Sequence, residues 1–489
     1  MRIDRKESCC LDPHLRIDDL RERFRGIAAI SLAWWVSLSC GFAQSQGIEI
    51  EVDVSSVVGR IRPLHGVNGG PLHSGETLDL SDVHRQLSVP LTRLHDCHWP
   101  NPDIVDIHVL FPNPDADPGL PESYYFSRTD DYIRSIINTG SQIVFRLGES
   151  IEHSKRKLHV HPPADADKWA EICLGIVRHY NDEWANGFRH NIQYWEIWNE
   201  PENRPAMWSG TDEDYFRIYA AAATAIKSHF PDVSVGGPAV GFAGDFNADR
   251  LAPSLFVRGF LDRCRNDSLP LDFFSWHTYT NNPNELVQRA RAIRRLLDES
   301  GFQQTESHLN EWNYLPDNDW SPMLVQQPKS RQAWFDRIHG NEGAAFTAAS
   351  LIRFQDAPLD AANYYSADIH GFGMFSEHGV PHKNFGAVQL FSQMLQTAER
   401  LSVSGNLPAT VAILAGTNSD RTQCNIFVSN HSQEPYSLTV NLNSWPEREK
   451  FVCQIRSLET EVLVTQESST DKPLTLPIQA HSVITIHAK

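Results

Sequence analysis

Clusters of positive charge are almost missing from this chain. Its 43 lysines and arginines face 61 aspartates and glutamates, for a formal net charge of −18, and past residue 43 the one basic run is Lys155-Arg156-Lys157. Nucleic acid and anionic membrane surfaces recruit larger clusters of lysine and arginine, so neither is an expected partner. Cysteine is scarce as well, eight in 489 residues. Cys9, Cys10 and Cys40 fall in an N-terminal leader, and the odd, widely spaced remainder is no disulfide scaffold. Cys424 alternates with Ile426 and Val428, and Cys453 with Phe451 and Ile455, which reads as packed free thiols facing a sheet core; a single bridge between them is the alternative. Metal-ligand spacing is absent too. His159-Val160-His161, His95 with His98, and His378 with His382 are the closest sets, and none has HExxH or CxxC form. The site is therefore read as metal-free and without a cofactor, against the alternative of a metal-dependent hydrolase.

Residues 1–43 read as a leader rather than as part of the fold. Arg21, Arg23 and Arg25 precede an apolar segment from Gly26 to Ala43, and small residues at Gly41 and Ala43 suit cleavage before Gln44. A membrane anchor fits less well, because the segment is short, broken by serine and followed at once by polar sequence. The expectation is a secreted or periplasmic protein with no membrane partner beyond export.

From residue 61 to 395, short apolar runs alternate with amphipathic helical patterns, the pattern of parallel β/α units. One helix carries the stripe Trp169, Ile172, Cys173, Ile176, Val177 and Tyr180; another runs from an Asn284 cap to a stop at Gly301. Strand ends are expected at Gly66–Asn68, Arg93–His95, Arg146–Gly148, Asn199–Glu200, Gly236–Pro238, His277–Tyr279, Asn310–Glu311 and Asn363–Tyr365. Eight strands make a closed (β/α)8 barrel. A doubly wound sheet would want a Gly-rich phosphate loop after its first strand, and His65-Gly66-Val67-Asn68-Gly69-Gly70-Pro71 lacks that spacing. Residues 396–489 alternate apolar and polar as an antiparallel β-sandwich does, and the alternating stretch within residues 44–60 is expected to join it. Long loops after strands two (Asp96 to Tyr125) and seven (Tyr314 to Gly340, with Trp320 and Trp334) should wall the catalytic face.

Two of the strand ends carry the chemistry. Tyr194-Trp195-Glu196-Ile197-Trp198-Asn199-Glu200-Pro201 and Leu309-Asn310-Glu311-Trp312-Asn313 each end an apolar run in a glutamate. Their separation spans about three βα repeats of roughly 30 to 50 residues, which places them on strands four and seven. Paired carboxylates at a barrel mouth are the minimum equipment for cutting a glycosidic bond, one protonating the leaving oxygen and the other attacking the anomeric carbon. Glu200 is read as general acid/base and Glu311 as nucleophile. Asn199 is expected to bond the hydroxyl beside the anomeric carbon, Tyr279 to orient Glu311, Arg93 to sit beneath it with positive charge, and His95 to face sugar hydroxyls. The plainer readings are that Glu200 is a helix N-terminal charge, that His277 and Tyr279 only pack, that Glu149 is a loop charge rather than a substrate contact, and that Trp208 is core rather than a sugar-stacking ring.

Taken together, Arg93-Leu94-His95, Trp198-Asn199-Glu200-Pro201, Phe273-Phe274-Ser275-Trp276-His277-Thr278-Tyr279 and Leu309-Asn310-Glu311-Trp312 resemble glycoside hydrolase family 39. The stretch Tyr124 to Gly140 is similar to that family's helix between strands two and three, and the resemblance extends to an accessory β-sandwich. It implies a retaining (β/α)8 glycosidase with acids on strands four and seven, β-xylosidase-like, with a carbohydrate as its partner. Iduronidase-, galactosidase- or arabinosidase-like specificity is the alternative within the class, and a non-catalytic carbohydrate-binding barrel the alternative outside it. Strand eight reads Asn363-Tyr364-Tyr365, without the tryptophan common in the clan. Which glycan is cut, whether attack is at a chain end, and the number of subunits are not written in the sequence.

Overall fold

The structure is a computed structural model that describes residues 46–73, 77–97, 103–324, 328–445, 450–459, 463–469 and 472–489. The leader and His98 lie outside the described residues.

Eight parallel strands close into a barrel: Gly66–Asn68, Leu91–Leu94, Gln142–Leu147, Tyr194–Ile197, Ser234–Val240, Phe273–Thr280, Glu306–Tyr314 and Ala361–Tyr364, numbered one to eight below. Each pairs with its chain neighbour, and strand eight returns to strand one through Asn363 opposite Gly66. Two side-chain periods explain why this sequence closes. The strands are short, buried on both faces and rich in Val, Ile, Phe and Trp, whereas the helices between them bury one stripe each. The helix Ala166–Asn181 buries Trp169, Ile172, Cys173, Ile176, Val177 and Tyr180, and its Asp165 cap accepts the N–H groups of Asp167 and Lys168. Burying six such side chains is worth on the order of 10 kcal/mol of apolar transfer. In the helix Pro283–Glu299 the cap is Asn282, whose side chain accepts from Asn284. The expected cap was two residues late because Pro283 already supplies a helical φ at the first helical position. Gly301 follows at φ +93°.

The strands of residues 396–489 join Gln46–Arg60 in one curled nine-stranded sheet, the accessory β domain, while Leu72–His73 with Leu78–Asp79 and Gly244–Asn247 with Arg250–Pro253 form two separate two-stranded pairs. Strand Gln46–Arg60 lies beside Glu399–Gly405, antiparallel, with Val52 opposite Val403. The sheet curls so that Ile48, Ile50, Val52 and Val54 share a core with Ile426, Leu438, Val440 and Ile486. Cys424 and Cys453 are both buried and free. Each stands opposite Ala488, on strands flanking the same central strand. Two strand spacings put their Cα atoms about 9 to 10 Å apart, beyond disulfide reach.

The stretch after strand seven is largely helical, over Ser321–Leu324 and Pro328–His339, rather than an open loop. Its Trp320 reaches the catalytic face while Trp334 is buried.

Candidate active site

The barrel mouth opens into a cleft of about 730 Å³ lined by residues from several strand ends, Glu200 and Glu311 among them. The turn that presents Glu200 is held on both sides: Trp198 N–H donates to Leu147 O (2.7 Å) and Glu200 N–H to Ala239 O (3.0 Å). Trp198 and Glu200 adopt φ +69° and +45°. Left-handed backbone at non-glycine residues costs about 1 kcal/mol or more each and persists only where the surroundings enforce it. Here they do, and Asn199 and Glu200 are thrown to the open end of the barrel.

Arg93 is the hub beneath them, fully buried. Its Nε donates to Glu196 Oε2 (2.6 Å), Nη1 to Glu311 Oε1 (2.8 Å) and Asn68 Oδ1 (3.1 Å), and Nη2 to Asn199 Oδ1 (2.5 Å). Burial opposes its charge, but Glu196 and Glu311 outweigh that and raise its pKa. Fixing Asn199 Oδ1 on Arg93 also decides the amide's orientation, so its N–H2 end is the one available to a substrate hydroxyl. Glu196, in the motif but without an expected role, is completed by the Asn310 amide.

Tyr279 Oη donates to Glu311 Oε2 (3.0 Å). Burial and the Glu311 charge hold the phenol well above its usual pKa, so it remains a donor. His277 Nδ1 lies 2.7 Å from Glu200 Oε1 and 3.4 Å from Glu311 Oε2. Burial disfavours its protonation, yet the two carboxylates raise its pKa. The Glu200 carboxyl, penalised by burial, is nonetheless pulled below its ordinary value by His277. One oxygen of each glutamate and a ring nitrogen of His277 lie within 4.8 Å of one another. His95 also lines the cleft; burial first, then the Arg146 and Arg93 charges, keep its ring neutral.

Two sequence-predicted contacts are not in the cleft. Trp208 is fully buried, edge-on to Trp198 (4.8 Å between centroids), with its indole N–H on Thr211 O. It is core because the turn after strand four folds back over it. Glu149 does not line the cleft: its Oε2 meets His108 Nδ1 (2.5 Å) and its Oε1 accepts the His108 N–H. Burial pushes that carboxyl up to about 7. Of the histidine sets, His159 stacks on His108 (3.7 Å), His161 bonds Ser209 Oγ, and His382 stacks on His339. Among the described residues, Asp106, His108 and Glu149 could hold a cation, but Arg146 already neutralises Asp106 (2.6 Å).

Sequence reasoning missed several cleft residues. Asp96 accepts from Ile151 N–H (3.1 Å) and Tyr365 Oη (3.4 Å), with His95 Nε2 3.3 Å away, and burial pushes its pKa up to about 7. Asn203 donates to Glu200 Oε2 (2.9 Å). Glu202, raised to about 7 by burial and the Glu200 charge, lines the cleft with Phe242. Asp96 directly follows Arg93-Leu94-His95 and could have been flagged; Phe242 lies in a loop with no periodicity to mark it.

The model of glycosyl hydrolases family 39 matches residues 97–434. The chain belongs to that family. It is 24% identical over 399 residues to a β-xylosidase of Caldicellulosiruptor saccharolyticus, covering 73% of each chain. Its structure is similar to that of a glucosidase from Croceicoccus marinus (TM-score 0.74, 25% identity, 91% of this chain and 99% of that one). It also shares the fold of a monomeric β-xylosidase from Caulobacter crescentus CB15 (TM-score 0.66, 17% identity, 90% and 99%). The chain is thus a glycoside hydrolase built on a (β/α)8 barrel.

Proposed function

We propose that the enzyme is an exported, retaining glycosidase that releases neutral sugars by double displacement, with β-xylosides as its best single substrate class. The observation that carries the mechanism is the Glu200–Glu311 pair, with oxygens within 4.8 Å. Retaining enzymes hold their carboxyl groups about 5–5.5 Å apart, whereas inverting enzymes need roughly 6.5–9.5 Å to admit a water. Glu311, oriented by Arg93 and Tyr279, attacks the anomeric carbon as the glycosidic C–O bond breaks. Glu200 delivers a proton to the departing oxygen, and the covalent ester at Glu311 results. Glu200 then takes a proton from water, which attacks the same carbon from the face the leaving group vacated. The acid proton belongs to a pair: with Glu200 lowered and His277 raised, the two share it across the 2.7 Å between Nδ1 and Oε1.

The glycone end of the cleft supports a neutral sugar. Its wall carries Asp96, anchored from strand ends two, three and eight, and among the described residues the one arginine lining the cleft is Arg289 on the helix after strand six. A carboxylated sugar would meet an acid where it needs a cation. The similarity to β-xylosidases favours xylose, and the structural neighbour described as a glucosidase makes glucose the competing outcome. Initial rates on aryl xyloside, glucoside, galactoside, arabinoside and iduronide test this. Highest kcat/KM on the xyloside is expected; preference for the iduronide would overturn the neutral-sugar reading. Export rests on Arg21, Arg23 and Arg25 ahead of the apolar segment to Ala43. N-terminal sequencing of secreted protein should begin near Gln44, and cytoplasmic protein retaining Met1 would contradict it.

A further inference from the structure

The wall of the cleft behind Glu200 is built by the segment that follows strand five. Gly241 backs directly onto the Glu200 carboxyl: a Cβ there would stand 2.5 Å from Glu200 Oε1, closer than any real contact allows. The next residue, Phe242, lines the cleft with 57% of its surface exposed. Its backbone is tied down. Glu202 Oε1 accepts both the Gly241 N–H (2.6 Å) and the Phe242 N–H (2.9 Å). Glu202 stands two residues after Glu200, so one turn both presents the acid and fixes the segment that backs it. Further along, Gly244–Asn247 and Arg250–Pro253 form a hairpin, and the Arg289 guanidinium lies 5.0 Å over the Phe246 ring, pinning that hairpin to the helix after strand six.

The position of this wall has a chemical consequence. The group that leaves is bonded to the oxygen that Glu200 protonates, so it must occupy the space beside Glu200 that Glu311 does not face. Gly241 and Phe242 line the cleft beside Glu200. An exposed aromatic ring at the rim of a polar cleft offers an apolar face to the C–H face of a sugar.

We propose that Phe242 is the platform on which the leaving sugar of an oligosaccharide stacks, and that Glu202 is the positioning residue that holds it there. The enzyme then selects the pyranosyl unit it releases as well as the one it transfers. This rests on the retaining-glycosidase reading above.

The test compares a donor with a leaving sugar and one without. Xylobiose carries a xylose into the proposed subsite, whereas β-D-xylopyranosyl fluoride releases only fluoride. A stacked ring contributes about 0.5–1.5 kcal/mol, so F242A should raise KM for xylobiose roughly threefold to tenfold, while KM for the fluoride shifts by less than about twofold. F242W should restore the xylobiose value. E202A should follow F242A, and E202Q, whose amide oxygen still accepts both N–H groups, should not. Equal effects of F242A on both donors, or none on either, would overturn the proposal and leave the glycosidase reading standing. A wild-type enzyme that prefers glucose moves the same comparison to cellobiose and glucosyl fluoride. One inert on all four donors overturns the xylose-or-glucose reading and this proposal together, while activity on another aryl glycoside would leave the glycosidase reading standing.

Discussion

A single imidazole faces both catalytic carboxylates: His277 Nδ1 is 2.7 Å from Glu200 and 3.4 Å from Glu311. Bound this way, Glu200 and His277 share one proton, and its loss switches off the acid. Giving that proton a second site can only raise the pH at which it is finally lost. Because His277 is raised above the ordinary imidazole value of about 6.5, the alkaline limb of kcat/KM should lie above that value in the wild type. H277Q removes the second site, and the limb should move to lower pH. A pH–rate series on a natural disaccharide checks this; an unmoved limb would mean that His277 carries no part of the catalytic proton.

The two glutamates should fail differently. E311A removes the group that forms the intermediate and should abolish turnover, with azide restoring an inverted glycosyl azide. E200A should spare dinitrophenyl glycosides, whose leaving group departs without protonation, and lose about 100-fold or more on natural linkages. Equal loss for both variants on the activated aryl glycoside would refute the assignment of roles.

Arg93 joins the strand-two end to Glu196, Glu311 and Asn199 with no solvent access. Removing one partner of a buried ion pair costs about 3–5 kcal/mol because the other charge is left uncompensated. R93M should therefore lower the unfolding free energy by about that much in urea denaturation. Adding E196Q to R93M should recover part of it. A loss below about 1 kcal/mol would show that the network contributes little to the fold.

Much of this was legible in the sequence, and for identifiable reasons. All eight barrel strands lie where apolar runs meet polar turns, since a strand buried on both faces cannot disguise its composition. Glu200, Glu311, Asn199, His95, His277 and Tyr279 converge because strand ends on one barrel face have no other place to point. What sequence could not resolve was the direction of side chains in the turns. Trp208 and Glu149 sit in polar-looking loops that fold back inward, and the partners that absorb them, Trp198 and His108, are adjacent only in space. Phe242 is the reverse case, an apolar residue left outside by a turn that Glu202 ties from another strand end. The alternation in residues 44–60 and 396–489 marked the buried face of the accessory β domain, but alternation does not record the order in which its strands pair.

The stereochemistry of the first-formed product tests the central claim most directly. Proton NMR of the anomeric signals during the opening minutes of hydrolysis of an aryl β-glycoside, before mutarotation, distinguishes the two courses. With Glu200 and Glu311 as close as the structure places them, the β-anomer should appear first and the α-anomer only as mutarotation proceeds. Initial appearance of the α-anomer would contradict a covalent intermediate at Glu311.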